Sequence, residues 1–148
     1  MEKMDASLER RVWQRVSRGP QPQREDLRPL VQAAREAAGD YRFLAAHLTG
    51  AAGDQAKRLY ELAQDTAACL RGVQLLRGAA PGKQGPVPGG QSGLRPVLER
   101  SCRRARTMAG EYMARSADPE CGPVFMALAQ REQDAFGRLV SLLGQTGG

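Results

Sequence analysis

Residues 59–76 read LYELAQDTAACLRGVQLL, and residues 125–142 read FMALAQREQDAFGRLVSL. In the first stretch Leu59, Leu62, Thr66, Cys69, Val73 and Leu76 recur at alternating steps of three and four. Residues so spaced share one face of a helix, and the regular alternation makes a heptad seam. Adding 66 to each number gives Phe125, Leu128, Glu132, Ala135, Leu139 and Leu142, the seam of the second stretch, and the tripeptide Leu-Ala-Gln recurs in that register at 62–64 and 128–130. Two helices of the same phase therefore stand at equivalent places in two halves of the chain.

The helices preceding them follow the same plan. Leu27, Leu30, Ala34, Ala37, Tyr41, Leu44 and Leu48 form one seam, and Leu94, Leu98, Ser101, Ala105, Met108 and Tyr112 form the other. Tyr41 and Tyr112 correspond at a separation of 71 residues, the extra positions of the first half falling in its helix–helix turn. The spacing predicts helices over 26–48, 54–77, 94–116 and about 118–143. Asp26 is an expected N-cap with Pro29 in the first turn, and Asp118-Pro119 opens the last helix. Between the halves lies AAPGKQGPVPGGQSG, residues 79–93, in which eight of fifteen residues are Gly or Pro, so that neither helix nor strand persists there. The expected fold is all-α: a hairpin over 26–78, a Gly/Pro crossover linker over 79–93 and a second hairpin over 94–143, joined as a four-helix bundle. Residues 1–25 hold a further short helix, about 6–18, with Leu8, Val12, Trp13 and Val16 on one face, followed by a polar connection. That helix would be pinned to the bundle by Trp13 or dock on a partner chain.

The chain has 148 residues, one domain's length, and enough to bury a core without disulfides or metal. No apolar run spans a membrane, and the start of the chain has no apolar signal core, so a soluble, cytoplasmic protein is expected. Cys69, Cys102 and Cys121 are odd in number and form no Cys-x-x-Cys pair, which argues against a disulfide framework and against a cysteine-only zinc site. The net charge of +6 is carried by arginine, with lysine only at Lys3, Lys57 and Lys83. The local cluster Arg100, Arg103, Arg104 and Arg106 is either a solvated face or a nucleic-acid surface. With one histidine, His47, off the seams and near a helix end, no Cys-His or Ser-His-Asp arrangement is available. PGKQG lacks the Gly-Lys-Ser/Thr of a phosphate-binding loop.

The two hairpins resemble those of the ferritin-like superfamily, and within it the rubrerythrin-type proteins of bacteria. The likeness rests on GDYRFLAAHL and RLYELAQDTAACLRGVQLL in the first half and on EYMARSADPECGPVFMALAQREQDAF in the second. It implies a bundle in which a glutamate one heptad before each tyrosine, and a Glu-x-x-His on each of the other two helices, hold two iron ions. Transferred to this chain, those positions are Ala34 and Ala105, Thr66 with Cys69, and Glu132 with Ala135. One carboxylate remains, neither histidine does, and no Glu-x-x-His occurs anywhere in the sequence. The resemblance thus implies the fold without its di-iron site, hence a non-enzymatic structural or interaction module with an unknown protein partner or with itself. The competing expectation is a metal-binding oxidoreductase with iron, manganese or zinc at an unorthodox site around Glu132 and Cys69, although two protein ligands fall short of the usual three of catalytic zinc. Glu132 on an apolar seam must be partnered, protonated or turned to solvent. Thr66, Tyr41 and Tyr112 are its candidate hydrogen-bond partners.

Overall fold

The computed structural model describes residues 25–89 and 93–146. These form four helices and no strand: α1 (Arg28–His47), α2 (Gly50–Leu76), α3 (Leu94–Ala114) and α4 (Gly122–Thr146). The expected helix at 6–18 lies outside the described residues. No helix among the described residues is long and apolar enough to cross a membrane.

Each hairpin packs chiefly within itself, α1 on α2 and α3 on α4, while α1 touches α3 and α2 touches α4 over smaller areas. The backbone N–H of Leu27, at the start of α1, donates to Oε1 of Gln74 near the end of α2 at 3.2 Å. At the same end Arg77 meets Asp118, which precedes α4, and Arg115, after α3, meets Glu25. Hence α1 and α4 run in one direction and α2 and α3 in the other. The linker must carry the chain the length of the bundle, and it does so along α1, where the Val87 N–H donates to the Arg35 carbonyl at 3.0 Å and Arg35 Nε donates to the Gly85 carbonyl at 2.8 Å.

The core has two parts. One is built on Leu27, Leu30, Val31, Leu70, Val73, Met108, Tyr112, Phe125 and Leu128. The other, toward the opposite end, is built on Tyr41, Leu44, Leu59, Val97, Leu98, Leu139 and Leu142 with a set of alanines. Each fully buried leucine or phenylalanine contributes about 1.5–3 kcal/mol relative to exposure.

The seams of α1, α3 and α4 are buried as their spacing predicts, save that Leu48, Leu94 and Glu132 are only partly so. The α2 seam differs. Leu59, Thr66 and Val73 are buried, but Leu62 and Cys69 are half-buried and Leu76 is 83% exposed. Ala56, Ala63 and Leu70 take the inner positions instead. Where α2 lies on α1, the 56/63/70 row faces inward and the 62/69/76 row lies on the flank. The 66-residue correspondence therefore holds on one row and breaks on the other, since Leu128, Ala135 and Leu142 of α4 are buried.

Helix ends also shift. The second helix begins at Gly50 rather than Asp54, because Gly50 adopts a left-handed φ of 61° that reverses the chain at once and lets AAGD join the first turn. The first begins at Arg28 with Leu27 at the cap position; the Asp26 carboxylate instead accepts from the Arg28 N–H and guanidinium. Asp118 does cap, accepting from the N–H groups of Glu120 and Cys121 at 2.8 Å each, although regular α4 starts only at Gly122.

Candidate functional site

Of the six positions at which the family resemblance places metal ligands, Ala105 and Ala135 belong to one part of the core and Cys69 packs against the other. Ala34, Ala105 and Ala135 are buried and offer no donor. Thr66 is buried, and its hydroxyl donates to the Leu62 carbonyl at 2.9 Å and accepts from Arg131 Nη1 at 3.0 Å. Back-bonding to the residue four before is the usual resort of a threonine inside a helix. Cys69 is half-buried, and burial pushes its thiol up. Among the described residues no group of three His, Cys, Asp or Glu side chains is placed to hold a metal ion.

Glu132 is half-buried, and its carboxylate makes no hydrogen bond or ion pair among the described residues. Burial raises its pKa to about 7, against the weaker pull of Arg131 and then Arg104. Thr66, an expected partner, is committed to Arg131 and to its own helix. Tyr41 and Tyr112 are buried and lie within electrostatic reach of Glu132; burial first, and the carboxylate second, keeps both phenols protonated far above neutrality. The layer thus joins Tyr41 from α1, Thr66 from α2, Tyr112 from α3 and Arg131 with Glu132 from α4. Its single carboxyl group holds or loses a proton near neutral pH. Its donor set does not fit a di-iron centre, which needs several carboxylates and imidazoles facing one another.

A second polar centre was not legible from the seams. Asp40, beside Tyr41 on α1, is almost wholly buried. It accepts from Arg100 through Nε at 3.0 Å and Nη2 at 2.7 Å, and from Arg104 Nη2 at 2.7 Å. Burial opposes its charge, but the two guanidiniums win and hold the carboxyl below its ordinary range. Arg100 and Arg104, one turn apart, are thereby directed onto α1, and of the arginine cluster Arg103 and Arg106 are left exposed. The sequence signal was the i, i+4 spacing of Arg100 and Arg104, which puts both on one face. The linker closes over this centre: Gly89 lies so near Asp40 and Arg100 that a Cβ would strike the carboxylate, and a Cβ on Gly39 would overlap the Val87 carbonyl.

His47 is exposed at the end of α1, stacked on Phe43 with its Nδ1 2.8 Å from the Phe43 carbonyl. Comparison with protein-family models, curated proteins and solved structures yields no match for the chain.

Proposed function

We propose that this protein is a ferritin-like bundle without a di-iron site, acting as a non-enzymatic structural or interaction module. The observation that carries the reading is the chemistry of the middle layer. Three of the six ligand positions are buried alanines, a fourth is a threonine whose hydroxyl is already bonded, and the remaining thiol and carboxyl stand without an imidazole. Paired carboxylates and histidines are what oxidation of iron or reduction of peroxide would require of such a bundle. The direction of the helices and the crossover linker support the ferritin-like part of the reading. As a module the protein would act through its outside, where Leu75 and Leu76 at the end of α2 and Met113, Met126 and Val140 elsewhere stand exposed.

The test is metal content by elemental analysis. Untagged protein is incubated with Fe(II), Mn(II) or Zn(II) and desalted. Less than about a tenth of an equivalent per chain is expected. One or two equivalents, lost on Glu132→Ala, would make the protein a metal-dependent oxidoreductase or carrier and refute the proposal.

A further inference from the structure

Most of the arginines whose partners have been described are matched by carboxylates. Arg28 pairs with Asp26, Arg77 with Asp118, Arg100 and Arg104 with Asp40, Arg115 with Glu25 and Glu111, and Arg138 with Asp134. One place gathers several cations without a carboxylate. Where the linker lies over α1 and α2, a recess of about 110 Å³ is lined by Arg35, Arg71 and Lys83, with the amides of Gln64 and Gln84 and a floor of alanines. No acidic side chain is among its lining residues. Arg35 is held only by neutral acceptors, the Gly85 carbonyl and Gln32 Oε1 at 2.9 Å. Arg71 and Lys83 make no hydrogen bond or ion pair among the described residues, and Nε of Arg71 is buried without an acceptor. A buried guanidinium donor left without a partner carries a desolvation cost that a bound anion would offset.

We propose that this recess binds the phosphoryl group of a small phosphorylated molecule. Three cations converging from α1, α2 and the linker suit a doubly charged oxyanion better than a single carboxylate, and arginine's fork matches phosphate oxygens. The amides of Gln64 and Gln84 supply further donors. The volume suffices for one phosphoryl group, roughly that of three or four waters. A cleft of about 480 Å³ adjoins it, sharing Arg35 and Lys83 and bringing in the apolar side chains of Val31, Pro81 and Val87. The ligand's organic part belongs there, which makes the ligand class a phosphate monoester with an apolar or aromatic body. A nucleic-acid backbone is disfavoured, because its phosphates lie on a continuous outer surface and the recess is roofed by the linker. This inference is independent of the metal question, since none of the recess residues belongs to the middle layer.

The experiment is isothermal titration calorimetry of the full chain with inorganic phosphate and with phenyl phosphate, at pH 7.5 and constant ionic strength in chloride. One saturable site per chain is expected, with phenyl phosphate the tighter ligand. Arg71→Gln and Lys83→Gln should each weaken binding about tenfold or more, and Arg103→Gln, on the exposed face of α3, should leave it unchanged. Lys83 is exposed in the linker, so its variant keeps the fold and the comparison interpretable. Absence of saturable binding to folded protein would overturn the proposal, as would undiminished binding by both recess variants. Equal affinity for the two ligands would overturn the assignment of the neighbouring cleft. Displacement of phenyl phosphate by a DNA duplex would assign the recess to nucleic acid instead.

Discussion

Replacing Glu132 with glutamine should stabilise the protein in a way that depends on pH. The folded state holds this carboxyl at a pKa of about 7, against 4.5 for an unhindered glutamate. Because the folded value is the higher one, the folded state retains a proton that the unfolded chain releases. Its contribution is therefore fully present below pH 4.5 and is lost as pH rises through about 7. At about 1.4 kcal/mol per pH unit the full loss reaches about 3 kcal/mol. Glu132 is half-buried, and solvent contact reduces this to about 2 kcal/mol. The glutamine variant cannot ionise, keeps the shape, and should approach the wild type as pH falls below 4.5 while exceeding it by a growing margin from pH 5 to pH 8. At roughly 3–4 °C per kcal/mol for a domain of this size, the melting temperature should rise by about 6 °C at pH 8. Thermal unfolding followed by circular dichroism at pH 5, 6, 7 and 8, at one ionic strength, gives the comparison. A difference between the two melting curves that stays constant from pH 5 to 8 would refute the account of Glu132 as an unpaired, half-buried carboxyl.

Asp40→Asn should cost about 3 kcal/mol at pH 7, because two guanidiniums would lose the charge that offsets their burial; urea unfolding measures it. Since the folded pKa of Asp40 is lowered, its stabilisation is present above 3.8 and disappears as pH falls below that value, so wild type and variant should converge in acid. Gly39→Ala should force the linker from α1, abolishing hydrogen-exchange protection of the Val87 amide and costing about 1–3 kcal/mol. Leu70→Ala should cost about 2–5 kcal/mol, whereas Leu76→Ala, on the flank, should change stability by less than about 0.5 kcal/mol. Equal effects of the two would restore the seam read from the sequence.

Periodicity made most of the architecture legible. The seams of α1, α3 and α4 are buried along the rows that the spacing marks. For α2 the heptad steps fitted two rows, 59/62/66/69/73/76 and 56/59/63/66/70/73, and the spacing alone could not choose the second, which the structure buries. The middle layer was legible as a set of positions, but not the partnership of Thr66 with Arg131, which lies beside the seam. Asp40 lies near the α1 seam in the sequence, but nothing there shows that Arg100 and Arg104 come against it from the other hairpin. The linker's composition marked an end to helix and strand, and concealed that Val87 and Gly89 dock on α1. The available signal was Gly39, a glycine within a run of alanines, where a helix tolerates one at a cost unless another backbone must approach.

The two polar omissions, at Asp40 and at Thr66, share a location. Within each hairpin the contacts are extensive and apolar, whereas the contacts of α1 with α3 and of α2 with α4 are fewer. Across that thinner boundary run Asp40 with Arg100 and Arg104, Thr66 with Arg131, Arg77 with Asp118, and Glu25 with Arg115. An arginine supplies every one of these bridges. Apolar seams alone specify two hairpins with similar faces, which could pair in more than one register. Buried charge pairs add little net stability but penalise every register that leaves a guanidinium unmatched. The arginines at this boundary therefore have a structural use that needs no nucleic acid, whereas Arg35, Arg71 and Lys83 share a recess lined by no acidic side chain.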